Sequence, residues 1–226
     1  MRWTYILLAV APALAIAWYI YHKDRYEKEP LSLVVMAFSF GVFSVFPAAV
    51  SSMIGGKYFS ISGSFINTGL YAFLVVALSE EFAKFFFLRY IFYTRKEFNE
   101  PYDGIVYAMM IGMGFAAFEN LLYLADGGVG VALFRMVTAI PAHAIFAISM
   151  GYYVGLAKFD LTHHQEFMRK GLLYPILLHG SYDLLLMQQN MPALAVLAFA
   201  GLYFCVRNVR YILSQSNDSS PFNLPK

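Results

Sequence analysis

Seven apolar stretches, each close to the length of a bilayer crossing, fill most of this chain and leave only short connections. A helix of about 20 apolar residues spans a hydrocarbon core about 30 Å thick. In lipid, only helices and closed barrels satisfy every backbone polar group. The stretches cover residues 3–21, 31–54, 67–93, 104–124, 131–156, 171–187 and 192–206. Composition points the same way: 60% of residues are hydrophobic and 13% charged, against roughly 45–50% and 25% in soluble domains. The expected fold is all-α, a polytopic transmembrane helix bundle of about seven spans. Residues 1–213 are expected to form one integral-membrane domain, and the polar tail 214–226 to be disordered. A net charge of +2 implies no nucleic-acid partner. The single cysteine, Cys205, excludes an internal disulfide.

Basic residues in short loops set orientation. One set of span ends carries Lys23, Arg25, Lys28, Arg95, Lys96, Lys158, Arg169, Lys170, Arg207, Arg210 and Lys226, with Arg89 close by. The opposite set carries only Arg2 and Lys57. This bias predicts an N-terminus outside, a cytoplasmic C-terminus and an odd number of spans. The first span has Ala13-Leu14-Ala15, which looks like a signal-peptide cleavage site, but its apolar run continues to Ile20. An uncleaved first helix is expected.

Against this background the charges inside the spans stand out. The third span holds Glu80, Glu81 and Lys84 among Leu, Val, Ala and Phe. A carboxylate at the bilayer centre costs roughly 2.5–3.5 kcal/mol even on the lenient insertion scale, and such residues mark function by default. Glu80 and Lys84 share a helix face in the favourable order, so one lysine can compensate one acid. The fourth span holds Glu119 and Asn120, with Phe115, Glu119 and Tyr123 on one face. Its Gly112, Gly114, Ala116 and Ala117 read as close-packing positions. Glu119 needs a cation from elsewhere, and Arg135, at the outer start of the fifth span, is the candidate. His143 follows Pro141, and His179 follows Pro175 with Asp183 one turn on. Prolines can kink helices and open space beside each histidine. His163 and His164 fall in a charged connector and read as solvated, while Asp103 reads as a helix start.

Two hydrolytic schemes suit acids beside histidines. In one, Glu80 or Glu81 deprotonates water while histidine steadies the oxyanion or protonates the leaving amine. In the other, His143, His179 and Glu80 or Glu81 bind Zn²⁺ with a position open for water. The H-E-x-x-H signature is absent from the sequence. No cofactor is required in the first scheme.

Taken in order, Glu80-Glu81-x-x-Lys84, Phe115-x-x-x-Glu119-Asn120, His143 and His179-x-x-x-Asp183 resemble the motifs of the PrsW family of bacterial membrane proteases, a branch of the group holding the CAAX prenyl proteases and bacteriocin-immunity-type proteins. The resemblance runs from about residue 67 to 187, which would be the catalytic core. It implies an intramembrane endopeptidase of the bacterial plasma membrane. Its substrate would be a single-pass membrane-anchored anti-sigma factor, cut first on the extracytoplasmic side, so that a sigma factor is released under stress. On this basis Glu80, Glu81, His179, Glu119 and His143 are the expected catalytic residues, with Lys84, Asp183, Asn120 and Arg135 in support. The chain departs from the CAAX pattern, which has histidine where Glu119 stands and arginine one position after Lys84; His143 can supply the imidazole instead.

An acid–histidine set in a membrane also suits a proton-coupled transporter. Many transporters are built from repeats, and the sequence shows none. A non-catalytic membrane scaffold that kept the polar cluster for assembly is the third reading.

Overall fold

A computed structural model describes residues 2–59, 61, 64–188 and 191–223. The side chain of Arg2 and the whole of Lys226, both used above for orientation, lie outside the described residues, as do positions 224 and 225 of the tail. Among the described residues the chain is a bundle of helices without strands. Helices α1 (Arg2–Lys23) and α2 (Leu31–Gly55) come first. The third helix, α3, runs through four consecutive pieces, Phe65–Leu70, Tyr71–Ala77, Leu78–Phe87 and Leu88–Phe92. Then follow α4 (Pro101–Val137), α5 (Ala139–Phe159), α6 (His164–Leu186) and α7 (Ala195–Asp218).

Five of these, α1, α2, α4, α5 and α7, are long and apolar enough to cross a membrane. The other two bring in the polar chemistry: α3 carries Glu80, Glu81 and Lys84, and α6 opens on two polar turns before reaching His179 and Asp183.

The bundle is organised around α4. Glu100 caps its N-terminus, Pro101 fills a first-turn position where no N–H is needed, and Asp103 Oδ2 accepts from the Glu100 and Asn99 amides at 2.8 and 2.7 Å. Every residue from 101 to 117 is buried. Helices α1, α2 and α5 pack directly on it, and α6 packs on α5 and on the middle of α3. A helix apolar on all faces is stable only when surrounded. Close approach is what the small residues provide: a Cβ added to Gly114 would fall on the Phe38 carbonyl of α2, and one on Gly112 would meet Ala147 at 2.7 Å.

Several boundaries differ from the sequence expectation. The fourth span does not stop at 124. Its helical stretch meets a second one at Gly128, whose φ of 76° a side chain would resist, and the helix continues to Val137. Residues 131–137, expected to begin the fifth span, therefore end α4, and α5 starts at Ala139 after a non-helical Thr138. Helix α6 begins at His164 rather than 171, and α7 extends through Asp218 into the segment expected to be disordered. That extension has a cause: Asn217 is buried, its Oδ1 accepts from the Arg25 amide at 3.2 Å, and its Nδ2 donates to the Leu213 and Lys23 carbonyls.

Candidate active site

The piece of α3 that carries the acids, Leu78–Phe87, is an ordinary α-helix set between two π-helical stretches. Single-turn π segments are rare and often sit at functional sites. Here they bracket the charged residues. Helices α2, α4 and α6 all touch this piece.

Lys84 is at the centre. Its ammonium donates to Glu81 Oε1 at 2.7 Å, lies 3.6 Å from Glu80 Oε2, and stands 3.2 Å from His143 Nδ1 of α5. It also rests 4.0 Å from the centroid of the Phe115 ring. An ammonium has only hydrogens to give, so His143 Nδ1 accepts. Its hydrogen is thereby assigned to Nε2, which donates to Glu119 Oε2 at 3.0 Å. Arg135 Nη2 donates to the same oxygen at 2.5 Å, and its guanidinium stacks 3.7 Å from the Tyr123 centroid. Both cations of the site are thus fixed between carboxylate and aromatic faces.

On the other side of Glu81, His179 Nδ1 lies 2.9 Å from Oε1. His179 Nε2 faces Asp183 Oδ2 at 3.3 Å, one turn along α6. Phe146 stacks on the imidazole at 4.8 Å and 18°. The sequence reading did not single out Phe146; its place one turn after His143 was the available signal.

Glu80, Glu81, Glu119, His143 and His179, on four different pieces of chain, form one connected network with Lys84, Arg135 and Asp183, all buried except the half-buried Glu119 and Arg135. Asn120 is not in it. Its Nδ2 donates to the Ala9 carbonyl of α1 at 2.9 Å and to the Ala132 carbonyl, so it fastens α4 to α1. His163 is exposed and pairs with Asp160 at 2.8 Å in the connector between α5 and α6, outside the network.

The two adjacent glutamates are not equivalent. Glu81 is fully buried, and its Oε1 takes both Lys84 and His179. Glu80 lines two cavities, of about 290 and 300 Å³, and Glu81 lines neither. Glu119 and Tyr123 are on the shared wall beside Glu80. Glu80 Oε2 has no hydrogen-bond donor, nor has Glu81 Oε2.

The donor set suits a zinc ion in residue type, and a zinc there would displace the Lys84 ammonium from Glu81 and from His143 Nδ1. Glu80, Glu81, His143 and His179 each offer one ligand atom, all within 4.8 Å of one another and all buried. Two imidazoles and a carboxylate with a position left open are a catalytic zinc set, and the two carboxylate oxygens without donors are the kind of atom a cation would satisfy.

A family model described as PrsW family intramembrane metalloprotease matches residues 29–209. Protease PrsW of Geobacillus kaustophilus is 41% identical over 82% of this chain and 80% of its own length. Protease PrsW of Bacillus subtilis is 37% identical over 80% of this chain and 82% of its own. The Oceanobacillus iheyensis protein of the same name is 36% identical over 95% of this chain and 96% of its own. No solved structure matches.

Proposed function

The chain belongs to the PrsW family of intramembrane metalloproteases, and from that premise we propose that it makes the first, extracytoplasmic-side cut in a membrane-anchored anti-sigma factor. It is a peptidase and a multi-pass protein of the bacterial membrane. The observation that carries the mechanism is the asymmetry of the glutamate pair: Glu80 faces open space on two sides while Glu81 is enclosed.

Glu80 is then the general base. A water in the cavity gives its proton to a Glu80 oxygen as its own oxygen attacks the scissile carbonyl carbon. Glu81 is a positioning residue that holds Lys84 and His179 at fixed angles. Each ring nitrogen of His179 faces a carboxylate, so the ring can carry a hydrogen on either side and hand one to the departing amine. Arg135 lines the same cavity, and its Nε–H, buried without a partner, is the donor that a small shift of the guanidinium turns to the oxyanion. Glu119, held by Arg135 and His143, keeps His143 in register. When zinc is bound, Glu80 or Glu81 with His143 and His179 would hold it, and the metal supplies Lewis-acid activation of water.

The cavities on either side of Glu80 suit an extended peptide crossing the site. With the N-terminus outside, as the basic residues indicate, the cluster falls in the middle to outer half of the membrane, which is where an extracytoplasmic-side cut belongs. The test is the purified full-length protein in vesicles with a single-pass anti-sigma factor tagged differently at its two ends. Mass spectrometry of the fragments is expected to place the new terminus on the extracytoplasmic side of the substrate's span. A cut on the cytoplasmic side, or cleavage of other single-pass proteins but of no anti-sigma factor, contradicts the proposal.

A further inference from the structure

A second group of acids lies at the start of α4. Asp24 follows α1, and Glu100 and Asp103 open α4. Asp103 and Glu119 are separated by about 24 Å of helix, so this group is distinct from the site above. Asp24, Glu100 and Asp103 are 3%, 0% and 1% exposed. Each can offer a carboxylate oxygen, and the three oxygens lie within 4.8 Å of one another. Two oxygens on one Ca²⁺ can stand at most about 4.8 Å apart, twice a Ca–O bond of about 2.4 Å, so the three are close enough to share an ion.

Capping accounts for part of the cluster and leaves the rest unexplained. Asp103 Oδ2 accepts backbone amides, and one Glu100 oxygen accepts from the Ser220 hydroxyl. The second oxygens, Asp103 Oδ1 and Glu100 Oε1, have no donor. Asp24 is the telling residue: it caps nothing, and neither of its buried carboxylate oxygens has a partner at good hydrogen-bond geometry, its polar neighbours being the Tyr26 amide and the Glu100 carboxylate. Beside the cluster, Glu29 accepts from the Tyr107 hydroxyl through one oxygen and leaves the other unpaired. Among the described residues no ion pair reaches any of these four acids. Lys158 donates instead to the Tyr93 and Arg95 carbonyls, and Arg25 reaches Asp218 at 3.9 Å. Unpaired buried charge is costly, and native proteins leave few buried polar atoms unsatisfied.

We propose that Asp24, Glu100 and Asp103 form a structural site for a hard divalent cation of the Ca²⁺ or Mg²⁺ class. The all-oxygen donor set selects such ions over zinc. The site ties the end of α1 to the start of α4, and through Ser220 to the segment after α7, so an ion there fastens both ends of the chain to the central helix.

The test uses full-length protein in detergent, stripped with chelator and then melted with Ca²⁺ or Mg²⁺ added. One of these ions is expected to raise the midpoint of wild type and of Glu81→Gln by roughly 5–10 °C at a hundredfold excess over Kd, and to leave Asp24→Asn unmoved. No shift with either ion overturns the proposal. So does an equal shift in Asp24→Asn, or a shift that disappears in Glu81→Gln, which would place the ion in the other cluster. Should Asp24→Asn not fold, tyrosine-sensitised Tb³⁺ emission on Glu81→Gln protein reads the site through the nearby Tyr102 and Tyr107. Emission at one equivalent that Ca²⁺ competes away supports the site, and its absence overturns it.

Discussion

Lys84 is the residue on which the buried acids depend. It is 3% exposed and touches Glu81, Glu80 and His143 from three different directions. Breaking a buried pair from one side leaves the partner charge stranded, at a cost of about 3–5 kcal/mol. Lys84→Met is therefore expected to lower unfolding stability by about that much. Adding Glu81→Gln to it should cost less than the sum of the two single changes, because the contact is shared. Thermal unfolding of the three variants in detergent checks both points, and strictly additive costs would contradict them. At this scale the sequence was informative about which residues matter: acids and histidines in apolar runs are conspicuous by composition alone. It could not say how they divide the work. Glu80 and Glu81 are neighbours in sequence, yet only the packing of α5 and α6 encloses one and leaves the other facing open space. Asn120, beside Glu119 in sequence, turns to α1 because adjacent helical positions point about 100° apart.

Among the elements, α4 determines where everything else can sit. Its contact with α2 has no room for a side chain at Gly114, where a Cβ would fall on the Phe38 carbonyl. Gly201 in α7, by contrast, has nothing within 4 Å of an added Cβ. Gly114→Ala is expected to destabilise by about 1–3 kcal/mol through overpacking. Gly201→Ala should be neutral or stabilise by up to about 1 kcal/mol through helix propensity. Melting of the two purified variants decides it, and equal midpoints would argue against the close α2–α4 crossing. The spans were legible as apolar runs, but the helices were not. Hydropathy sees only turns that meet lipid or core, so the polar first turns of α6 and the Asn217 end of α7 were invisible to it. The bend at Gly128 hid in a Gly-rich apolar passage that reads equally well as a loop between two spans. The π-helical stretches around Glu80 leave no signature in the sequence.

For the whole molecule, the described residues hold two acidic clusters, one at the start of the central helix and one beside its middle. One contains imidazoles, borders cavities and suits hydrolysis; the other contains only oxygen donors and suits a structural cation. Composition alone made the membrane class plain, and the order of the motifs carried the family. The cluster at Asp24, Glu100 and Asp103 was not foreseen, because its members are spread across two connections in which acids are unremarkable. The most direct measurement is cleavage of one single-pass substrate by wild type, Glu80→Gln and Glu81→Gln, with far-UV circular dichroism to confirm folding. Glu80→Gln is expected to stay folded and to lose about 10²–10⁴-fold in kcat, the usual contribution of a general base, while Glu81→Gln loses both activity and stability. A folded Glu80→Gln enzyme that cuts at the wild-type rate would contradict the assignment of Glu80 as the group that activates water.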